Sequence, residues 1–109
     1  MTSLLSSGDL ISDRYASALY DLAAEKKIVD LVLEDLVFLQ KCIQENKDLK
    51  LLAKSPLITS SDKLNIFEKI LSKQKADNLT NTFLKVISNN RRFAKLSSII
   101  SHFMNINSQ

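Results

Sequence analysis

The chain has 109 residues, 45% apolar and 25% charged, with a formal net charge of +3, which describes one ordinary globular domain and leaves no room for a second. A single Gly (Gly8) and a single Pro (Pro56) exclude glycine loops that cradle phosphates and starve the tight hairpins of an all-β fold. One Cys (Cys42) and one His (His102) leave no internal disulfide and no zinc site built from Cys and His.

Apolar residues recur at helical spacing almost throughout, so the expected fold is all-α, a six-helix bundle forming a single domain. Residues 1–11 read as a polar leader and 12–108 as the domain. The leader has no basic segment ahead of an apolar run and no Arg-rich amphipathic character, so neither a secretory signal nor a transit peptide is expected. No apolar stretch approaches the roughly 20 residues that span a bilayer, so direct membrane insertion is not expected either.

Ser12 or Asp13 is expected to cap a first helix running to about Lys26. A second, from Ile28 to about Glu45, presents Ile28, Leu31, Val32, Leu36, Leu39 and Ile43 on one face, and Asn46-Lys47 breaks it. A short third helix, Asp48 to Lys54, stops before Ser55-Pro56 because the residue ahead of proline is pushed out of helical geometry. Thr59 with Asp62 resembles a capping box, with Ser60 and Ser61 as rival caps, and opens a fourth helix that buries Leu64, Phe67, Ile70 and Leu71. It ends in the polar stretch Ser72 to Lys75. Asp77 or Asn78 caps a fifth helix to about Asn90, and a sixth begins near Arg92 with Leu96, Ile99, Ile100, Phe103 and Ile106 as its stripe.

Two of these helices carry more apolar surface than one core contact needs. A surface helix requires an arc of about 100°. At 3.6 residues per turn, Ala18, Leu22, Tyr15, Leu19, Ala23, Ala16, Tyr20 and Ala24 of the first helix fill roughly 240°. Leu79, Phe83, Leu84, Val86 and Ile87 of the fifth fill roughly 160°. The first helix is therefore either central to the bundle or packed by its own domain on one side and by a partner on the other. A groove between the two would accept an amphipathic helix from another chain, and Ala16 and Ala18 would permit close helix approach there or inside the domain.

Equipment for catalysis is nearly absent. Cys42 lies at the edge of the second helix's apolar stripe and reads as an inert thiol. His102 reads as a solvated residue without a companion base. Asp30, Glu34 and Asp35 form an acidic cluster that reads as a solvated face rather than a metal site. No catalytic residue, metal ligand or cofactor is expected.

Charge is unevenly spread: residues 1–48 hold five basic against nine acidic side chains, and residues 49–109 ten against three. The basic groups of the second half are scattered, with only Arg91-Arg92 adjacent. That pair could bind phosphate, and is read instead as supporting the last turn of the fifth helix or pairing with an acid. The rival functional class is a small helical nucleic-acid-binding or adaptor module that uses this basic half.

The stretch Asp13-Arg14-Tyr15-Ala16-Ser17-Ala18-Leu19-Tyr20-Asp21-Leu22-Ala23 resembles the opening signature of the ATP synthase delta subunit family, whose mitochondrial member is the oligomycin-sensitivity-conferring protein. Leu51 to Pro56 resembles the family's segment ending in Ser-Pro, and Lys63 the Lys soon after it. Thr82 to Arg92 resembles its N-F-L-x-x-(L/I)-x-x-N-x-R element, with Thr82 in place of the usual Asn.

The resemblance covers nearly all of residues 8 to 108. It implies a six-helix N-terminal domain that sits on the catalytic head and grips the N-terminal helix of an alpha subunit. It also implies the groove: Tyr15, Ala18, Leu19 and Leu22 from the first helix, and Leu79, Phe83, Val86 and Asn90 from the fifth, with Phe83 serving alternatively as core. The role implied is a noncatalytic stator component, peripheral to the cytoplasmic face of the bacterial inner membrane. Full-length members continue into a second domain that contacts the b-type stalk subunits, so the resemblance implies a piece of a longer subunit that keeps head binding and lacks most of the stalk contact. The abundance of Lys and Asn points to a bacterial rather than a mitochondrial origin.

Overall fold

The computed structural model describes residues 7–109 as six α-helices: α1 Ser7–Glu25, α2 Val29–Glu45, α3 Lys47–Lys54, α4 Ser60–Ser72, α5 Asn78–Asn89 and α6 Leu96–Asn107, with a 3₁₀ turn at Phe93–Lys95 leading into α6. The all-α six-helix architecture is the one the apolar spacing predicts. Residues 1–6 of the expected leader lie outside the described residues.

The start of α1 differs from expectation. Helix begins at Ser7, and neither Ser12 nor Asp13 caps it. Ser12 is fully buried in the second turn of the helix, its Oγ without a hydrogen-bond partner among the described residues. Asp13 instead points toward α6, its Oδ1 3.6 Å from His102 Nδ1. His102 is thereby half-buried under α1 and is not the solvated residue expected.

Three of the other starts follow local chemistry, whereas Ile28 and Lys95, ahead of α2 and α6, make no side-chain cap bond. Asn46 caps α3 by accepting from the Leu49 N–H (3.1 Å), Thr59 caps α4 through the Asp62 N–H (3.1 Å), and Asp77 caps α5 through the Leu79 N–H (2.9 Å). Three helix ends share one device. After α1, α4 and α5 the chain turns through a left-handed residue, Lys27 (φ 60°), Lys75 (φ 56°) and Arg91 (φ 54°). The following N–H then reaches back to Ala23, Leu71 and Ile87 carbonyls respectively, closing a Schellman motif each time. Glycine is the usual residue there. This chain places a cation instead, which favours the negative end of each helix while accepting left-handed strain.

The core forms around α2, which touches α1, α3, α4, α5 and α6. Val32, Leu36, Leu39 and Ile43 are buried on it, against Leu84 and Ile87 of α5 and Ile99, Ile100 and Phe103 of α6. Phe67 of α4 stacks on Phe93, ring centroids 5.2 Å apart at 21°. Leu31, expected on the buried face of α2, is 49% exposed, because the face that meets five neighbours is set by Val32, Leu36 and Leu39.

Polar side chains fasten this core. Asp35 is buried, contrary to the expected solvated acidic face, because its Oδ2 accepts from the Asp77 N–H (2.9 Å) and from Thr80 Oγ1 (2.7 Å) at the start of α5. Gln40 of α2 exchanges bonds with Ser97 and Ser101 of α6: its Nε2 donates to the Ser97 carbonyl and to Ser101 Oγ, and its Oε1 accepts from Ser97 Oγ. Lys63 of α4 is buried with its Nζ donating to the Ala53 carbonyl near the end of α3 (3.0 Å). Of these three, Asp35 sets the position of α5, since its carboxylate holds the first turn of that helix against α2.

Candidate functional site: a groove between α1 and α5

α1 packs chiefly on α6, and α5 chiefly on α4. Each helix therefore spends one side of its apolar arc on a different neighbour, and the remaining sides face each other across an open groove of about 500 Å³. The division along α1 is sharp. Ala16, Leu19 and Ala23 are buried, and Tyr20 tilts against Phe103 at 5.3 Å. Ala18 and Leu22, at the other edge of the arc, are exposed.

On α5, Thr80, Leu84 and Ile87 are buried and Phe83 nearly so, while Leu79 is half-buried and Val86 exposed. Tyr15 meets Phe83 edge-on across the groove, centroids 6.4 Å apart at 71°, an arrangement aromatic quadrupoles favour. Phe83 is thus core and wall together, which resolves the alternative left open by the sequence.

Seven of the eight expected residues line this groove: Tyr15, Ala18, Leu19 and Leu22 from α1, and Leu79, Phe83 and Val86 from α5. Asn90 is not on its walls. It is the C-cap of α5, its N–H bonded to the Val86 carbonyl (3.0 Å) and its side chain exposed. The Schellman turn that follows carries the chain away and delivers Arg92, two residues later, to the groove instead.

Ile11, Arg14 and Thr82 are the other wall residues the sequence did not yield. Ile11 precedes Tyr15 by four and Ala18 by seven, so helical spacing would have found it once α1 was known to start at Ser7. Arg14 stands one turn before Ala18, and Thr82 one turn before Val86, and both belong to the same stripes. Arg92 has no such signal, because only the left-handed turn at Arg91 brings it back.

The walls are chemically simple. Apolar side chains dominate; among the described residues the two charged ones on the walls are both cations, Arg14 and Arg92, and no carboxylate lines the groove. Such a surface offers apolar burial over the length of a helix face and cationic contacts for an acidic flank. Among the described residues no group of three His, Cys, Asp or Glu is placed to hold a metal ion.

The family model for the ATP synthase delta (OSCP) subunit matches residues 11–109. The chain belongs to that family. It is 39% identical to the ATP synthase subunit delta of Rhizobium leguminosarum bv. trifolii over 102 residues, covering 94% of this chain and 53% of that protein. It is 33% identical to the ATP synthase subunit delta of Rhodospirillum centenum over 94 residues (86% and 50%). With that of Phenylobacterium zucineum the identity is 39% over 93 residues (85% and 50%). The chain spans about half the length of these relatives. The family is a noncatalytic subunit of the ATP synthase.

Proposed function

We propose that this domain is the head-facing end of a stator subunit of the rotary ATP synthase, and that the groove between α1 and α5 receives the N-terminal helix of an alpha subunit. The observation that carries this reading is the open apolar strip formed by Ala18, Leu22, Leu79 and Val86, flanked by two helices that are otherwise fully engaged with α6 and α4. An amphipathic helix laid there covers Leu22 and Val86, now 45% and 40% exposed. Each contributes about 1 kcal/mol on burial of that fraction.

Torque on the rotor turns the catalytic head unless a peripheral stalk restrains it, and a domain gripping the head supplies one end of that restraint. Contact with b-type stalk subunits belongs to the remainder of a full-length subunit. The domain attaches peripherally at the cytoplasmic face of the membrane, and no helix among the described residues is long and apolar enough to cross one.

The test is calorimetric titration with a peptide copying an alpha subunit's N-terminus, against wild type and Ala18→Glu. Ala18 is exposed, so the variant folds with wild-type thermal stability. It loses about 2 kcal/mol of binding, roughly thirtyfold, because a bulky carboxylate stands where the peptide must approach closely and has to be desolvated, with the exposed Arg14 one turn away offsetting only part of that cost. Unchanged affinity in a well-folded variant removes the partner helix from this face.

A further inference from the structure

We propose that the polar cavity between the end of α3, the start of α4 and the end of α5 binds a phosphate group, carried by inorganic phosphate or as the terminal phosphate of a nucleotide. The cavity measures about 620 Å³, and Lys54, Lys63 and Arg91 converge on it from three helices or their ends. Among the described residues no carboxylate stands on its walls. These three cations are scattered through the sequence, and only the fold gathers them. Arg91 and Arg92, adjacent in the chain, are split by the left-handed turn so that one faces this cavity and the other the apolar groove.

Lys63 supplies the demand for an anion. It is 8% exposed, and among the described residues its Nζ makes one hydrogen bond, to the Ala53 carbonyl, and has no acid within ion-pair distance. An ammonium carries three donors, and a buried charge without a counter-ion is costly. Burial lowers its pKa from the ordinary 10.5, and an anion beside the amine would offset that cost.

The start of α4 adds donors. Thr59 takes the Asp62 and Lys63 N–H groups, whereas the Ser60 and Ser61 N–H groups have no partner among the described residues, and both serines wall the cavity. Ammonium, guanidinium and helix N–H donors, supplied by α3, α4 and the turn after α5, suit the oxygens of a tetrahedral dianion better than a planar carboxylate. The long side chains of exposed Lys54 and Arg91 can close on it.

The experiment follows backbone amide resonances of the full chain during titration with sodium phosphate, with sodium chloride at equal ionic strength, and with ATP. Saturable shifts at Ser60 and Ser61, with a dissociation constant on the order of 1 mM in phosphate, are expected. Arg91→Gly, which suits the left-handed turn, weakens binding about tenfold, and Lys54→Gln weakens it in the same direction. Tighter binding of ATP at the same amides identifies a nucleotide's terminal phosphate, and equal or weaker binding identifies free phosphate. Shifts that chloride reproduces, amides of Ser60 and Ser61 that do not move, or an affinity indifferent to both substitutions each overturn the site.

Discussion

Replacing Asp35 by Ala removes the side chain that ties α2 to the start of α5. Its carboxylate is 4% exposed and accepts two hydrogen bonds, from the Asp77 N–H at 2.9 Å and from Thr80 Oγ1 at 2.7 Å. Hydrogen bonds to a charged acceptor contribute about 1.5–3 kcal/mol each. The carboxylate also stands near the positive end of α5, worth roughly a further 0.5 kcal/mol. Part of this is recovered as water reaches the half-buried Asp77, so Asp35→Ala is expected to cost about 3 kcal/mol. For a chain of this size that lowers Tm by about 10–20 °C. Asp35→Asn keeps an acceptor and loses the charge, and should cost about half as much. Thr80→Val removes the hydroxyl at nearly constant shape, so a double-mutant cycle of Asp35→Ala with Thr80→Val isolates one bond and should return a coupling of about 1 kcal/mol or more. Urea denaturation of the wild type and these variants measures all of it. An Asp35→Ala variant within about 0.5 kcal/mol of wild type, the range of an ordinary surface substitution, would refute the claim that this carboxylate is buried and bonded. Because Leu79 lies in the first turn of α5 and walls the groove, a destabilised Asp35→Ala protein should also bind the alpha-subunit peptide more weakly.

Lys27→Gly and Lys75→Gly relieve left-handed strain at φ near 60°, and each should raise stability by about 0.5–1 kcal/mol in chemical denaturation; a loss would mean that the cation's interaction with the helix end outweighs the strain. Ser12→Ala removes a buried hydroxyl without a partner among the described residues and improves helix propensity, so Tm should rise, equivalent to about 1 kcal/mol; a fall would show that Oγ is bonded in solution. Burial holds the folded-state pKa of Lys63 below 10.5, so between that lowered value and 10.5 the unfolded chain binds more protons than the folded one and stability rises with pH. Wild-type stability should therefore gain on that of Lys63→Met as pH climbs toward 10.5, and a difference that stays flat or falls would contradict the burial of the charged amine.

The sequence by itself determined the helical class and most helix boundaries, because those depend on local chemistry. Thr59 and Asp77 cap the helices they precede, Pro56 keeps α3 from continuing, and the 3.6-residue spacing marks Leu96, Ile99, Ile100 and Phe103 as buried. The wide arc of α1 left open either a central helix or a second contact beyond the core, and seven of the eight expected residues stand on the walls of an open groove. Only the tertiary structure decided how polar side chains are used. Asp35 reads as a surface acid until α5 delivers two donors to it, and Lys63 reads as a surface amine until α3 offers the Ala53 carbonyl. Their partners are 42, 45 and 10 residues away, beyond the reach of any periodicity. The ends of the groove were decided in the same way. Asn90 ends α5 off the walls, and one left-handed residue, Arg91, brings Arg92 onto them, because a Schellman turn reverses the chain within two residues and helical spacing no longer applies past it.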